Sequence, residues 1–342
     1  MKLPEEFSSK LPLRFDKSGR FRILMMSDLH YAPDRDARTI RLMERLIDSQ
    51  KPDFVMLGGD NTTGKATKEE FLTLLKDIAE PMEKRQIPWA HIFGNHDISP
   101  DVSKEYQQSE YEKYDFCLSK AGQEDLPGVG NYFLPVLSRE GEPVFGIWAL
   151  DSHQDFGMPS VPVDFNENVY WNLLLPSRMN AGSDWEFVRF EQILWYWNSS
   201  VAIENNLKRK LPSLMFLHIP LPEFNALVKN VQRTGTKGEY NESVSCSELN
   251  SGLFAAALQR GDVKGIFAGH DHINTFDGAY CGIRMGYDGS AGYHAYGARD
   301  FDPLGGRDRL RGGRVFDIYE QSPEKIETRM RLADDLSSEG RI

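Results

Sequence analysis

Apolar runs that stop abruptly at polar residues punctuate the first hundred or so positions of the chain. "FRILMMSDLH" (21–30) is the first, and Ile40, Leu42, Met43, Leu46 and Ile47 follow at helical spacing. The pair predicts a strand and then a helix over Arg35–Gln50. The pattern returns at "DFVMLGGD" (53–60), followed by a helix over Lys68–Lys84. It returns again at "PWAHIFGNHD" (88–97), followed by a helical or irregular Val102–Ala121. Buried strands alternating with helices predict a parallel-type sheet with helices on its faces.

Beyond Gly130 the rhythm changes. "NYFLPVLS" and "PVFGIWALDS" are separated by "REGEP", which is hairpin chemistry. Asp184–Asn198 places Phe187, Phe190, Ile193, Leu194 and Trp197 at helical spacing and predicts a core helix with a broad apolar face. "PSLMFLHIP" and "GDVKGIFAGH" then resume the buried strands. From Asn274 onward short runs alternate with glycines, which predicts antiparallel strands closing a second sheet. Two stretches fit no element: 154–183, rich in Pro, Asn and Gly, and 229–248, polar and without periodicity. The expected organisation is an N-terminal extension over 1–20 and a single two-sheet domain over 21–342 carrying insertions at about 154–183 and 229–248.

A chain of 342 residues with 40% hydrophobic content can bury a sizeable core. Its net charge of −11 opposes a broad grip on nucleic-acid polymers or on an acidic membrane, so any phosphate must meet a local positive centre. Cys117, Cys246 and Cys281 are odd in number and far apart, which fits neither a disulfide framework nor a thiolate zinc knuckle. The opening "MKLPEEFSSKLPLRF" lacks the apolar core of a signal peptide, and no stretch reaches the roughly 18 apolar residues of a membrane span. The expected location is the cytoplasm, or a secreted or periplasmic one if a leader has been removed.

The polar residues that end the runs carry the chemistry. They are Asp28 and His30, Asp60, Asn95 and His96, His218, and His270 and His272. Carboxyl ends of parallel strands share one edge of a sheet, so these positions are expected to converge. Side chains two apart on a strand point the same way, which would aim Asp28 with His30, and His270 with His272, at one centre. Each cluster alone has a plain structural explanation as a turn or a hydrogen-bonded core histidine. Their recurrence at successive strand ends does not. Three or four imidazoles, two carboxylates and one amide, with no thiolate, suit Zn, Fe, Mn or Co. That is too many donors for one tetrahedral ion. Two ions sharing a carboxylate about 3.5–4 Å apart would use them all and leave room for a bridging hydroxide.

At these positions the sequence resembles the calcineurin-like metallophosphoesterase superfamily, whose ordered blocks are D-x-H, G-D, G-N-H-D/E, a lone His, and G-H-x-H. Here they stand as Asp28-Leu29-His30, Gly59-Asp60, Gly94-Asn95-His96-Asp97, His218, and Gly269-His270-Asp271-His272. The resemblance implies a four-layer α/β/β/α sandwich of two mixed β-sheets flanked by helices. It implies one metal held by Asp28, His30, Asp60 and His272 and a second held by Asp60, Asn95, His218 and His270, the two ions being drawn from Fe, Mn and Zn. It makes His96 the general acid, with Asp97 as its orienting partner, and leaves Asp271 pointing away.

Thr63 stands where purple acid phosphatases carry their metal-binding tyrosine, so the chain is most similar to the purple-acid-phosphatase-like branch that lacks it. "GGDNTTG" and "GNHD" also depart from the protein Ser/Thr phosphatase blocks. The implied reaction is hydrolysis of a small phosphomonoester by direct attack of the bridging hydroxide. A phosphodiesterase on a nucleotide or phospholipid headgroup is the alternative, and an inactive binding scaffold the second. Asp151 and His153, at the end of "IWALDS", and His294, in "SAGYHAYG", are the candidate substrate contacts, whereas His91 is expected to be structural.

Overall fold

The structure, a computed structural model, describes residues 3–157, 183–297 and 309–339. In chain order a 3-10 turn (Glu5–Phe7) is followed by β1 (Leu13–Arg14), β2 (Arg20–Met26), α1 (Ala37–Gln50), β3 (Phe54–Leu57), α2 (Lys68–Glu83), β4 (Trp89–His91) and α3 (Lys104–Tyr111). The hairpin of β5 (Tyr132–Leu137) and β6 (Pro143–Ala149) follows, then a ribbon of β7 (Asp155–Gly157) and β8 (Ser183–Trp185), and α4 (Phe190–Leu207). After β9 (Ser213–Leu217) come α5 (Phe224–Lys229), α6 (Val231–Thr234), α7 (Leu253–Arg260), β10 (Val263–Ala268), β11 (Asp277–Tyr280) and β12 (Ile283–Tyr287). The chain closes with β13 (Gly312–Tyr319), β14 (Glu327–Leu332) and α8 (Ala333–Glu339).

Two sheets carry the architecture, ordered β1-β5-β6-β9-β10-β12-β11 and β14-β13-β2-β3-β4. Strand β2 shows why they stack. Its period of two sends Phe21, Ile23 and Met25 into a core shared with Leu134, Ile147, Phe216 and Phe267 of the other sheet. Leu24 and Met26 face the opposite way, onto Leu42, Met43 and Leu46 of α1 and Leu74 and Ile78 of α2. The other sheet repeats the arrangement, with Trp148, Met215 and Leu217 turned outward onto Ile193, Tyr196 and Ile203 of α4. Helix, sheet, sheet and helix therefore form four layers, the expected α/β/β/α sandwich. Helix α2 is fixed at its start by a capping box between Thr67 and Glu70.

Three expectations are corrected. The late strands do not form a sheet of their own: β11 and β12 join β10, while β13 returns to pair antiparallel with β2. Each sheet thus mixes early and late chain. The helix expected over 184–198 begins at Phe190 and runs to Leu207, and its buried face is rotated from the one the spacing predicts. Gln192 lies fully buried on that face, donating to Asn131 Oδ1 at 2.7 Å and to the Asp151 carbonyl at 2.8 Å, while Phe190 is 69% exposed and Leu194 47%. A satisfied amide thus occupies a position that the apolar pattern assigns to a hydrocarbon.

The third correction concerns 229–248, which is not a plain loop. It contains α6 and is then tied to the turn that follows β10: Asn241 and Glu242 donate backbone N–H groups to Asn274 Oδ1. Most of the expected insertion at 154–183 lies outside the described residues. Among the described residues no helix is long and apolar enough to cross a membrane.

Two phenylalanines separate buried from apparent core. Phe216→Ala, between the sheets at 0% exposure, should cost about 3–5 kcal/mol in denaturant unfolding. Phe190→Ala, on the exposed turn of α4, should change stability by no more than about 0.5 kcal/mol.

Candidate metal centre

The strands stop short of the residues they present. β2 ends at Met26, β3 at Leu57 and β10 at Ala268, so Asp28, His30, Asp60, His270 and His272 all lie in the turns beyond. Strand alternation is therefore not what aims them. Asp28, His30, Asp60 and His270 take left-handed backbone conformations, with φ of 52°, 42°, 51° and 77°. Such a conformation costs a non-glycine residue about 1–3 kcal/mol and persists only where the surroundings over-determine it.

Here they do. Asp28 N–H donates to the Gly59 carbonyl at 2.9 Å, His30 N–H to the Asp60 carbonyl at 2.8 Å, and Gly292 N–H to the Asp28 carbonyl at 3.1 Å. Close approach adds a second constraint. A Cβ on Gly94 would stand 2.1 Å from Asp60 Oδ1, and one on Gly59, itself at φ 92°, 2.5 Å from His218 Nδ1.

Two donor sets result. Asp28, His30, Asp60 and His272 present ligand atoms within 4.8 Å of one another, and so do Asp60, His218 and His270. Asp60 belongs to both. Its Oδ1 is occupied by the His96 N–H at 2.7 Å, while Oδ2 stands 3.3 Å from His30 Nε2 and 3.2 Å from His218 Nε2. Asp28 is divided likewise: Oδ2 accepts from Ser27 Oγ and from the His270 N–H, and Oδ1 faces His272 Nε2 at 3.2 Å.

The histidine tautomers follow from their partners, because a carbonyl can only accept. His218 Nδ1–H donates to the Gly58 carbonyl at 2.9 Å and His272 Nδ1–H to the Tyr296 carbonyl at 3.1 Å, so in its neutral form, the one that binds a cation, each turns an Nε2 lone pair inward.

Whether these residues suit a metal is tested by what they leave unpaired. Asp28 Oδ1, Asp60 Oδ2, Asn95 Oδ1, His218 Nε2 and His270 Nε2 are buried and make no hydrogen bond. One unpaired buried polar atom costs about 1–3 kcal/mol, so the four that fall in the two donor sets, from Asp28, Asp60, His218 and His270, are a standing demand for a cation. The electrostatics make the same demand. Burial pushes Asp28 up, yet the neighbouring His272 and His218 hold it down at about 2. Burial likewise opposes charge on His218, but Asp60 and Asp28 raise it to about 10. Burial, with His218 alongside, lowers His270 to about 3. The two donor sets fit two ions, with Asp60 shared.

Around this centre the remaining candidates separate. His96 is exposed, its ring centroid 5.0 Å from that of His30. Asp97 does not orient it: the carboxylate is fully buried and accepts from Gly94 N–H at 2.8 Å and Thr62 N–H at 2.9 Å, bracing the two loops against each other. Burial and the charge of Asp60 push Asp97 up to about 6.

Asp151 is also withdrawn from substrate. It is buried in an ion pair with Lys104 at 2.9 Å and accepts the N–H groups of Val129 and His153. His153 meets Gln192 Oε1 at 2.9 Å, and His294 pairs at the surface with Asp34 at 3.5 Å. Asp271 faces away from the donors, toward the Ser245 N–H. His91 is buried, hydrogen-bonded to Ser119 and stacked on Tyr111.

The sequence reading missed the residues that line the centre from behind. The Tyr296 ring stacks on His272 with centroids 4.0 Å apart, two positions beyond the His294 that drew attention. Trp185 sets its ring edge-on against His270 at 4.3 Å. Ser27 and Asp288 lie under Asp28. No spacing marks these positions; only the convergence of distant loops does.

Comparison with known proteins agrees with this geometry. Calcineurin-like phosphoesterase is the family that matches, over residues 21–274. Two proteins of Arabidopsis thaliana named probable inactive purple acid phosphatases, 14 and 29, are 32% and 30% identical; each alignment covers 83% of this chain, and 74% and 75% of theirs. Thr63, at the purple-tyrosine position, is consistent with the branch these relatives represent. A dimetal phosphatase from Danio rerio shares the fold at a TM-score of 0.58 and 13% identity, over 91% of this chain and 96% of its own. With a family match that frames the D-x-H to G-H-x-H blocks and a sandwich that brings them to one centre, the chain belongs to the calcineurin-like phosphoesterase family.

Proposed function

We propose that this chain is an active binuclear-metal phosphoesterase that hydrolyses a small phosphomonoester by direct displacement with water, without a covalent phosphoenzyme. The observation that carries this reading is the convergence of buried donor atoms from Asp28, Asp60, His218 and His270, none of them hydrogen-bonded, in two sets that share Asp60. Two divalent or mixed-valence ions drawn from Fe, Mn and Zn, when bound, lower the pKa of water and neutralise phosphoryl charge.

The protein's own part is positional and protic. Asp28, His30, Asp60 and His272 would hold one ion; Asp60, Asn95, His218 and His270 would hold the other. His96 is anchored through its backbone N–H to Asp60 Oδ1, which leaves its exposed ring beside His30 free to give a proton to the departing oxygen. Asp97 keeps the Gly94 and Thr62 backbones in register beneath it. Asp151 and His153 play no part in this mechanism, Asp151 being paired with Lys104 and His153 bonded to Gln192, and His294 lies at the surface beside Asp34. The names of the Arabidopsis relatives favour a second reading, a binding scaffold without turnover.

Protein reconstituted with Mn, Fe, Zn or Co and offered paired aryl phosphate mono- and diesters separates these readings. Monoester turnover above diester turnover is expected. Diester preference would replace the proposed substrate class, and absence of turnover with about two ions bound per chain would leave the scaffold. His96→Ala should retain its metal and lower kcat by about 10²–10⁴-fold. Asn95→Ala should lose an ion on dialysis, as read by elemental analysis of the protein.

A further inference from the structure

Beneath the first donor set lies a proton-counting problem. Ser27 is fully buried, and its Oγ sits within hydrogen-bonding reach of Asp28 Oδ2, of Asp288 Oδ1 at 2.7 Å and of the Gly289 carbonyl at 3.3 Å. A hydroxyl carries one proton and cannot serve two carboxylates. If Ser27 donates to Asp28, the contact with Asp288 requires a proton on Asp288, and the hydroxyl's lone pairs are there to receive it.

The surroundings of Asp288 agree. It is fully buried, its second oxygen makes no hydrogen bond, and burial together with the charge of Asp28 pushes its pKa up to about 8. The segment that carries it also grips the Asp28 turn through the backbone. Ser290 Oγ donates to the Asp28 carbonyl at 3.0 Å, Gly292 N–H reaches the same oxygen, and Ala291 N–H donates to the Ser27 carbonyl at 3.0 Å.

We propose that Asp288 is a positioning residue for the first metal: as a neutral acid it donates to Ser27 Oγ, which in turn donates to Asp28 Oδ2. With Oδ2 held by Ser27 and by the His270 N–H, Oδ1 is the only oxygen of Asp28 turned toward His272 and the remaining donors. A carboxylate free to rotate would offer either oxygen and bind less selectively. Asp288 lies outside the five sequence blocks, and its effect falls first on the ion site that takes a ligand atom from Asp28; the second set takes none and meets Asp28 Oδ2 only through the His270 backbone N–H. The proposal rests on the binuclear reading above.

The test is binding of Mn²⁺ to metal-free protein by calorimetry, with thermal unfolding of the same samples, so that no turnover is needed. Asp288→Asn keeps the shape and a donor; Asp288→Leu keeps the forked shape at a larger volume and loses the donor; Ser27→Ala breaks the chain at its middle with a small residue that fits. Wild type and Asp288→Asn should bind two ions with affinities within about 3-fold. Asp288→Leu and Ser27→Ala should weaken one of the two by about 10–100-fold and leave the other unchanged.

Equal loss in Asp288→Asn and Asp288→Leu would overturn the donor role, since an anion would then be what matters. Two unweakened sites in Ser27→Ala would overturn the positioning role, and this variant decides the matter if Asp288→Leu does not fold. Wild type that binds no Mn²⁺ would remove the binuclear reading itself, and the proposal with it.

Discussion

Two carboxylates buried side by side govern this structure. Asp28 and Asp60 are sealed from solvent, at 0% and 1% exposure, where turns from both sheets meet. Charge at that depth is tolerable only when compensated, and compensation that relies on other buried side chains leaves little freedom in where they stand. The left-handed turns, the glycines in contact with Asp60 and His218, and the carbonyls that fix two histidine tautomers are all consequences of holding these two groups still.

The centre also depends on how the sheets face each other. Asp28, His30, Asp60 and Asn95 follow strands of one sheet, whereas His218, His270 and His272 follow strands of the other. Each donor set draws on both. The aromatic packing of Phe316 against Phe216 and Phe267, with centroids 5.7 and 4.5 Å apart, therefore does more than fill the core. It helps set the separation across which the histidines must reach, in a layer too closely packed to adjust by small increments.

The strands and the ligand blocks were legible in the sequence for the same reason. An apolar run that stops at Asp-x-His or Gly-Asn-His marks both a buried strand and the chemistry at its end. What failed was phase and direction. Gln192 carries no apolar signal yet lies on the buried face of α4, so the spacing of Phe190 and Leu194 predicted the wrong side. Asp97 and Asp151 stand where catalytic acids often do, but their oxygens are taken up by backbone N–H groups and by Lys104, and the partners Thr62, Val129 and Lys104 are distant in sequence. His294 drew attention as a histidine, while the stacking residue was Tyr296. Asp288, in "GYDGSAG", looks like an ordinary turn residue until the fold sets it beneath Ser27.

That the donors come from both sheets has a thermodynamic corollary. An ion held jointly by two layers is a cross-link that exists only in the folded chain, so its binding free energy adds directly to folding stability and grows with the logarithm of free ion concentration. With ions bound as proposed, the lifetime of this protein would be coupled to metal supply. A cell short of the right ion would lose folded molecules as well as occupied sites, and the two losses would report on a single equilibrium.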